Sequence, residues 1–326
     1  MASPNLSELV TTTLRNRTGK LADNVTKNNA LLMRLNEKGN IRTVDGGRTI
    51  VQELEYAENA SFMFYSGYEV LNIAPSDVMT AAEFNWAQAA TSVTISGLEQ
   101  LQNSGKEKII DLIGGRIKNA ERTMTNNIAL SCYSDGTAYG GKQIGGLQLL
   151  VADAPATGIV GGINRANWSF WRNQKYSGVT DGGGAITTSN IQQYMQALYS
   201  KTVRGADHVD LVVADNNYYN LYWASLQSQA RYMPVESSLG KAGFDVLRFQ
   251  SADVVLDGGI GGGCPANHMY FLNTNYIHFR PHVNRNFVPL DPESRASVNQ
   301  DAIVKIIGFA GNMTLSNAML QGVLIA

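Results

Sequence analysis

The sequence predicts an α+β chain. From Lys106 to Tyr133, KEKIIDLIGGRIKNAERTMTNNIALSCY repeats apolar residues at close to four-residue spacing, the period of one helix face. Two long segments before it alternate in strand fashion, and the chain after it interleaves short apolar runs with amphipathic stretches before ending strand-rich. At 326 residues, 44% of them hydrophobic, the chain has enough material for one large core or two ordinary ones.

Taken in order, Ser3-Pro4 reads as a helix start, with Ser as the N-cap and Pro at the first helical position. Leu6, Leu9, Val10, Leu14, Leu21, Val25, Leu32 and Leu35 then recur at three- and four-residue steps, with Gly19 as an interruption. Residues 1–48 hold eight Lys/Arg against four acids, in a chain whose net charge is −1. Two readings stay open: a solvated amphipathic helix with its apolar face on the core, or an arm packed on a neighbour and facing something anionic.

Asp45-Gly46-Gly47 is a turn, followed by RTIVQELEY with Ile50, Gln52, Leu54 and Tyr56 on one side. A second extended segment runs from Glu83 to Gly97, carrying Phe84, Trp86, Val93 and Ile95. The aromatic stretch SFMFYSGYEVLNIAPSD lies between them, which suggests an extended loop or hairpin unable to bury all its apolar residues in its own chain. Taken singly, Phe62, Phe64 and Trp86 each read as core residues.

In the long helix, Ile109, Ile113, Ile117, Ala120, Met124 and Ile128 form the apolar face. Gly114-Gly115 marks a bend or a close contact, and Asp135-Gly136 ends the helix. Further on, Ser189 is expected to cap a helix whose face is Ile191, Tyr194, Met195 and Leu198. VDLVVAD is a buried strand, Asp215 or Asn216 caps the next helix, and VLRF and DVVLD are strands. Helices between buried strands argue for a compact α/β-like subdomain. The glycine-rich run from Gly258 to Gly263 is a loop, and the segments after His268 are strands.

Several classes of function find no support. Net charge near zero argues against attraction of the whole molecule to nucleic acid or anionic membrane. No apolar run reaches the roughly 18 residues of a membrane span, and MASPNLSELV lacks the features of a signal peptide. Cys132 and Cys264 have no CxxC spacing, so neither a disulfide scaffold nor a zinc site is indicated, and a reducing cytoplasm fits. His278 and His282 form an HxxxH on strand-like sequence interrupted by Pro281, without the helix that brings two rings to one metal. No GxSxG, Walker A or GxGxxG sequence occurs, and Glu53 and Glu55 share a strand face without a partner constellation. We therefore expect no catalytic, cofactor-binding or metal-binding residues.

The stretch IGGLQLLVADAPATGIVGGINRANWSFWRN, residues 144–173, holds glycine pairs beside aromatics and arginines, a composition found at phosphate or sugar sites. Lysine, a helix start and acid partners are all missing from it. Gly145-Gly146 is expected to mark the crossing from the long helix into the next subdomain, and Gly161-Gly162 to turn the chain tightly. Trp168 and Trp171 would anchor it, with Arg165 and Arg172 holding backbone carbonyls or acids.

From the long helix through this stretch, the sequence resembles the major capsid proteins of tailed bacteriophages, which have the Hong Kong 97-like fold. The residues are KEKIIDLIGGRIKNAERTM, SDGT at 134–137, GGLQLLV and GGINRANWSFWRN, then ADVVLDGG, MYFLNTNYIHFRPH and NMTLSNAMLQGVL, in order over about residues 40–326. The resemblance implies an N-terminal arm at 1–44, an extended β loop at 45–97, a peripheral domain at 98–143 and 266–326 containing the long spine helix, and an axial domain at 144–265. It implies self-assembly through pentamers and hexamers into an icosahedral shell around double-stranded DNA. Portal, scaffolding and cement or decoration proteins would be partners, with non-specific DNA contact and no membrane. Its place would be the virion, after assembly in the host bacterial cytoplasm. A charge content of 16% then has a physical cause, since much of the surface is buried between chains.

Some members of that family crosslink a loop lysine to a neighbour's asparagine, but no Lys occurs between Lys38 and Lys106. Reinforcement is expected to be noncovalent, and scaffolding, if used, to be a separate protein. The alternatives are an encapsulin-like compartment shell, and a soluble α/β enzyme or glycan-binding protein using the Trp168/Trp171 region.

Overall fold

The computed structural model describes residues 29–102, 106–227, 246–258, 262–290, 295–296 and 302–326. The expected helix start at Ser3-Pro4 and the break at Gly19 lie outside them. The elements run α1 (Ala30–Glu37), β1 (Ile50–Glu55), β2 (Met79–Phe84), β3 (Ala87–Ser96), α2 (Gly97–Gln102) and α3 (Lys106–Ser131). Then come β4 (Ile159–Val160), β5 (Ile163–Asn164), β6 (Gln174–Ser177), α4 (Ile191–Lys201), β7 (Leu211–Ala214) and α5 (Asn216–Gln227). The chain closes with β8 (Val246–Phe249), β9 (Ala252–Leu256), β10 (His268–Leu272), β11 (Ile277–Pro289), β12 (Arg295–Ala296), β13 (Ala302–Leu315) and β14 (Gly322–Ile325).

The spine is α3, 26 residues and so about 39 Å long. Ile117, Ala120, Met124 and Ile128 are buried, as their spacing requires. Gly114 and Gly115 do not mark a close contact: a Cβ on either would meet nothing within 4 Å. The helix ends at Ser131, ahead of Asp135-Gly136, and the chain turns at once. Gly146 makes that turn possible, because a Cβ there would lie 2.5 Å from the Cys132 carbonyl group, to which Leu147 N–H donates at 2.8 Å. The expected crossing at Gly145-Gly146 is where the chain leaves the spine.

Two larger sheets flank this crossing. One has the order β6-β14-β10-β7-β9-β8, mixed in direction, with α4 and α5 packed on one face. Val212 and Ala214 of β7 turn towards those helices, whereas Leu211 and Val213 join the main core with the spine, the alternation that a sheet covered on both faces requires. Ile191, Tyr194, Met195 and Leu198 form the buried face of α4 as expected. The capping residue differs: α4 begins after Asn190, and Ser189 bonds only to the Thr187 hydroxyl. Asp215 caps α5, accepting from Tyr218 N–H at 2.9 Å.

The second sheet joins β11, β13 and β12, with β3 along the other side of β13. The segment expected as one strand from Glu83 to Gly97 is therefore two. It breaks at Asn85-Trp86, where Asn312 holds the Asn85 carbonyl, and continues into a different sheet. The expected boundary near residue 265 also runs through a sheet, because β10 and β14 pair with β7 and β6 from the preceding region.

Residues 30–37 answer one open reading. Leu31, Leu32 and Leu35 are fully buried in the chain's own core. Asn29 caps α1 and reaches the Ala129 carbonyl of the spine, while Arg34 pairs with Asp253 of β9 and Lys38 with Asp210. This part of the basic segment is core.

Candidate assembly surface

Between β1 and β2 the chain runs out into a loop, residues 56–78, that the other described residues leave largely exposed. The two strands pair antiparallel from Ile50↔Phe84 to Glu55↔Met79, and Tyr56 N–H closes the ladder on the Val78 carbonyl at 3.0 Å. Beyond that rung the hydrogen bonds are local: Ala60 N–H to the Ser76 hydroxyl, Ser61 N–H to Asn59, Ser66 N–H to the Glu69 carboxylate, and Ala74 N–H to Asn72. Phe62 is 77% exposed, Phe64 90%, Val70 91% and Ile73 92%, with Tyr68 fully exposed. Against the expectation that Phe62 and Phe64 are core residues, no described residue outside the loop covers them. Trp86, at the foot of the hairpin, is half-buried, donating to the Gly47 carbonyl at 2.9 Å and packing on His282.

The stretch at 144–173 turns out to hold the foot of this loop. β4 and β5 form a two-residue hairpin with Gly161 (φ +58°) and Gly162 (φ +77°) at its turn, both in the left-handed region. Glu83 N–H donates to the Gly161 carbonyl at 2.9 Å, and the Cα of Gly161 sits against Ala82 and Phe84. Tyr56, the first residue of the loop, stacks on Phe170 at 5.3 Å and meets Trp168 edge-on at 5.9 Å. One face of β1 and β2 is thereby buried through Ile50, Leu54, Ala82 and Phe84, leaving Glu53 and Glu55 in solvent.

Arg165 organises this support. It is 1% exposed, and its guanidinium donates to the carbonyls of Trp171 (3.1 Å), Leu149 (3.2 Å) and Leu150 (2.5 Å). Burial pulls its pKa down to about 10, well above neutrality. Arg172 donates to the carbonyls of Arg165 and Ala166, and the Trp171 indole donates to the Val160 carbonyl. Both arginines hold backbone carbonyls, one of the two roles expected of them. Trp171 is buried and both guanidiniums are engaged by backbone carbonyls, whereas Trp168 is half-exposed.

His278 and His282 lie on β11, with the His278 ring partly buried and His282 against Trp86. Among the described residues no group of three or more His, Cys, Asp or Glu is placed to hold a metal ion, and no helix is long and apolar enough to cross a membrane. Cys132 and Cys264 are both buried and free, and burial raises both thiols, Cys132 to about 12.

No family model matches the chain, and no curated protein is similar to it in sequence. Solved structures are similar in fold. A cyanophage A-1(L) capsid subunit superposes with a TM-score of 0.64 at 16% identity, over 87% of this chain and 89% of that one. The capsid of an empty GTA particle gives 0.57 at 10% identity, over 89% and 95%. The SrpI encapsulin of Synechococcus elongatus gives 0.51 at 8% identity, over 87% and 83%. The chain has the Hong Kong 97-like fold that the sequence resemblance implies.

Proposed function

We propose that this chain is the structural subunit of a closed shell, a phage-type major capsid protein assembling through pentamers and hexamers around double-stranded DNA. The observation that carries the reading is the loop at 56–78, rich in exposed apolar residues, tied down at its foot and covered by no described residue outside it. Fully burying one Phe or Ile is worth about 1.5–3 kcal/mol, so a partner covering several of them gains enough to drive association. Such a patch on a fold shared with shell proteins is a contact between copies. The role is structural, not enzymatic, and the virion is its place. Reinforcement is noncovalent, since the loop has no lysine. In this reading residues 1–44 serve as the arm, rooted in the chain's own core at 30–37, 45–97 as the extended loop, and the two larger sheets lie in the axial and peripheral domains. Scaffolding, portal and cement proteins are separate partners.

Electron microscopy of the purified protein tests this: closed shells support it, and discrete small oligomers refute it. The similarity to an encapsulin favours one second reading, a compartment shell with protein cargo. Nuclease-protected double-stranded DNA inside the shells distinguishes the capsid, and protein cargo without DNA the compartment. A covalent ladder on denaturing gels would contradict noncovalent reinforcement.

A further inference from the structure

The surface beside the foot of the loop carries charge that no described residue balances. Residues 41–44 run along the open edge of β11, with bridges Ile41↔Phe279 and Val44↔His282. Arg42 therefore falls on the same side of the sheet as His278 and Arg280, the alternate positions to the buried Ile277, Phe279 and Pro281. Arg280 donates to the Gln52 side chain at 3.2 Å, and Arg42 to the Gly39 carbonyl at 3.1 Å. Both partners are neutral. No ion pair among the described residues includes Arg42, Arg280 or His278, and the buried Nδ1 of His278 has no hydrogen-bond partner.

This arrangement is unfavourable in the isolated chain. Burial, then repulsion from Arg280 and Arg42, pushes His278 down to about 4, and burial followed by the Arg42 charge lowers Arg280. Like charges held together, partly desolvated and without a counter-ion, are relieved by an anion. The uncovered loop offers one. Residues 49–82 contain Glu53, Glu55, Glu58, Glu69 and Asp77 and no Lys, Arg or His. Glu58, Glu69 and Asp77 lie on its exposed outer part.

We infer that Arg42, Arg280 and His278 form a carboxylate-accepting site for the acidic loop of a second copy of this chain. The inference rests on the shell reading and names the partner of one of its surfaces. The apolar residues of the loop supply area, and the carboxylate pairing fixes where the loop lands.

Charge exchange tests the pairing. Arg42→Glu/Arg280→Glu reverses the site, and Glu58→Lys/Glu69→Lys/Asp77→Lys reverses the loop. Each alone is expected to lower shell yield at least about tenfold. Co-expressed, the two variants pair site with loop across copies, and yield is expected to recover to within about twofold of wild type. Arg42→Gln/Arg280→Gln, neutral and similar in size, guards against misfolding. Its thermal unfolding is expected to match wild type while its yield falls. Wild-type yield from either arginine variant, or no recovery on co-expression, overturns the inference while leaving the shell intact. Normal shells that lose nuclease-protected DNA would show that the site faces packaged phosphate, which also overturns it. A wild-type protein forming no shells removes the shell reading and this inference with it.

Discussion

A Cβ built on Gly161 would lie 2.8 Å from the Cβ of Ala82. That contact ties the glycine turn at 161–162 to the hairpin that projects the loop. Gly161→Ala is expected to cost about 2–4 kcal/mol, combining left-handed backbone strain with overpacking. Gly162→Ala meets nothing within 4 Å and is expected to cost only the strain, about 1–2 kcal/mol. Denaturant unfolding of dissociated subunits measures both, and equal losses would contradict the close approach.

Arg165→Met keeps the apolar packing but leaves two buried carbonyls and one part-buried carbonyl without their donor. At about 1–3 kcal/mol for each unsatisfied group, a loss of at least about 3 kcal/mol is expected. Arg165→Lys is expected to recover little, since an ammonium cannot span three carbonyls as the guanidinium fork does. A stability within about 0.5 kcal/mol of wild type, the range of ordinary surface changes, would contradict the role given to Arg165.

Phe62→Ser/Phe64→Ser removes exposed apolar surface whose rings meet each other within the loop. Subunit stability is expected to stay within about 0.5 kcal/mol, while shell yield collapses. Sedimentation separates the two effects. Normal shells from this variant would mean that the loop is not the contact.

The depressed His278 gives a pH dependence with a definite sign. An unfolded imidazole titrates near about 6.5, whereas burial and the two arginines push the folded ring down to about 4. Between those values the unfolded chain binds a proton that the folded chain refuses, so stability falls as pH drops through that range. His278→Gln is expected to flatten this part of the stability–pH curve of dissociated subunits and leave the neutral part unchanged. An unaltered slope would contradict the buried, repelled ring.

Much of this was legible in the sequence where the signal is local. The four-residue spacing of Ile117, Ala120, Met124 and Ile128 specifies the buried face of the spine, and Asp215 reads as a cap from its position alone. For Arg165 and Arg172 the sequence leaves carbonyls and acids both open, and only the folded geometry assigns them to carbonyls. What failed to show depends on distant partners. Strand alternation continues through Asn85-Trp86, so only the pairing of β2 with β1 and of β3 with β13 reveals two sheets. The loop as a whole reads as more apolar than its own chain can bury, but Phe62 and Phe64 taken singly read as core, and nothing local announces that both stand exposed. The cluster of Arg42 with Arg280 spans more than two hundred residues of sequence, and nothing local announces it.

Electron microscopy of the assembled protein, at a resolution that separates subunits, bears most directly on the central claim. The account predicts closed shells in which Phe62, Phe64 and Ile73 of one subunit are buried against another. Small open oligomers, or shells in which residues 56–78 remain in solvent, would contradict it.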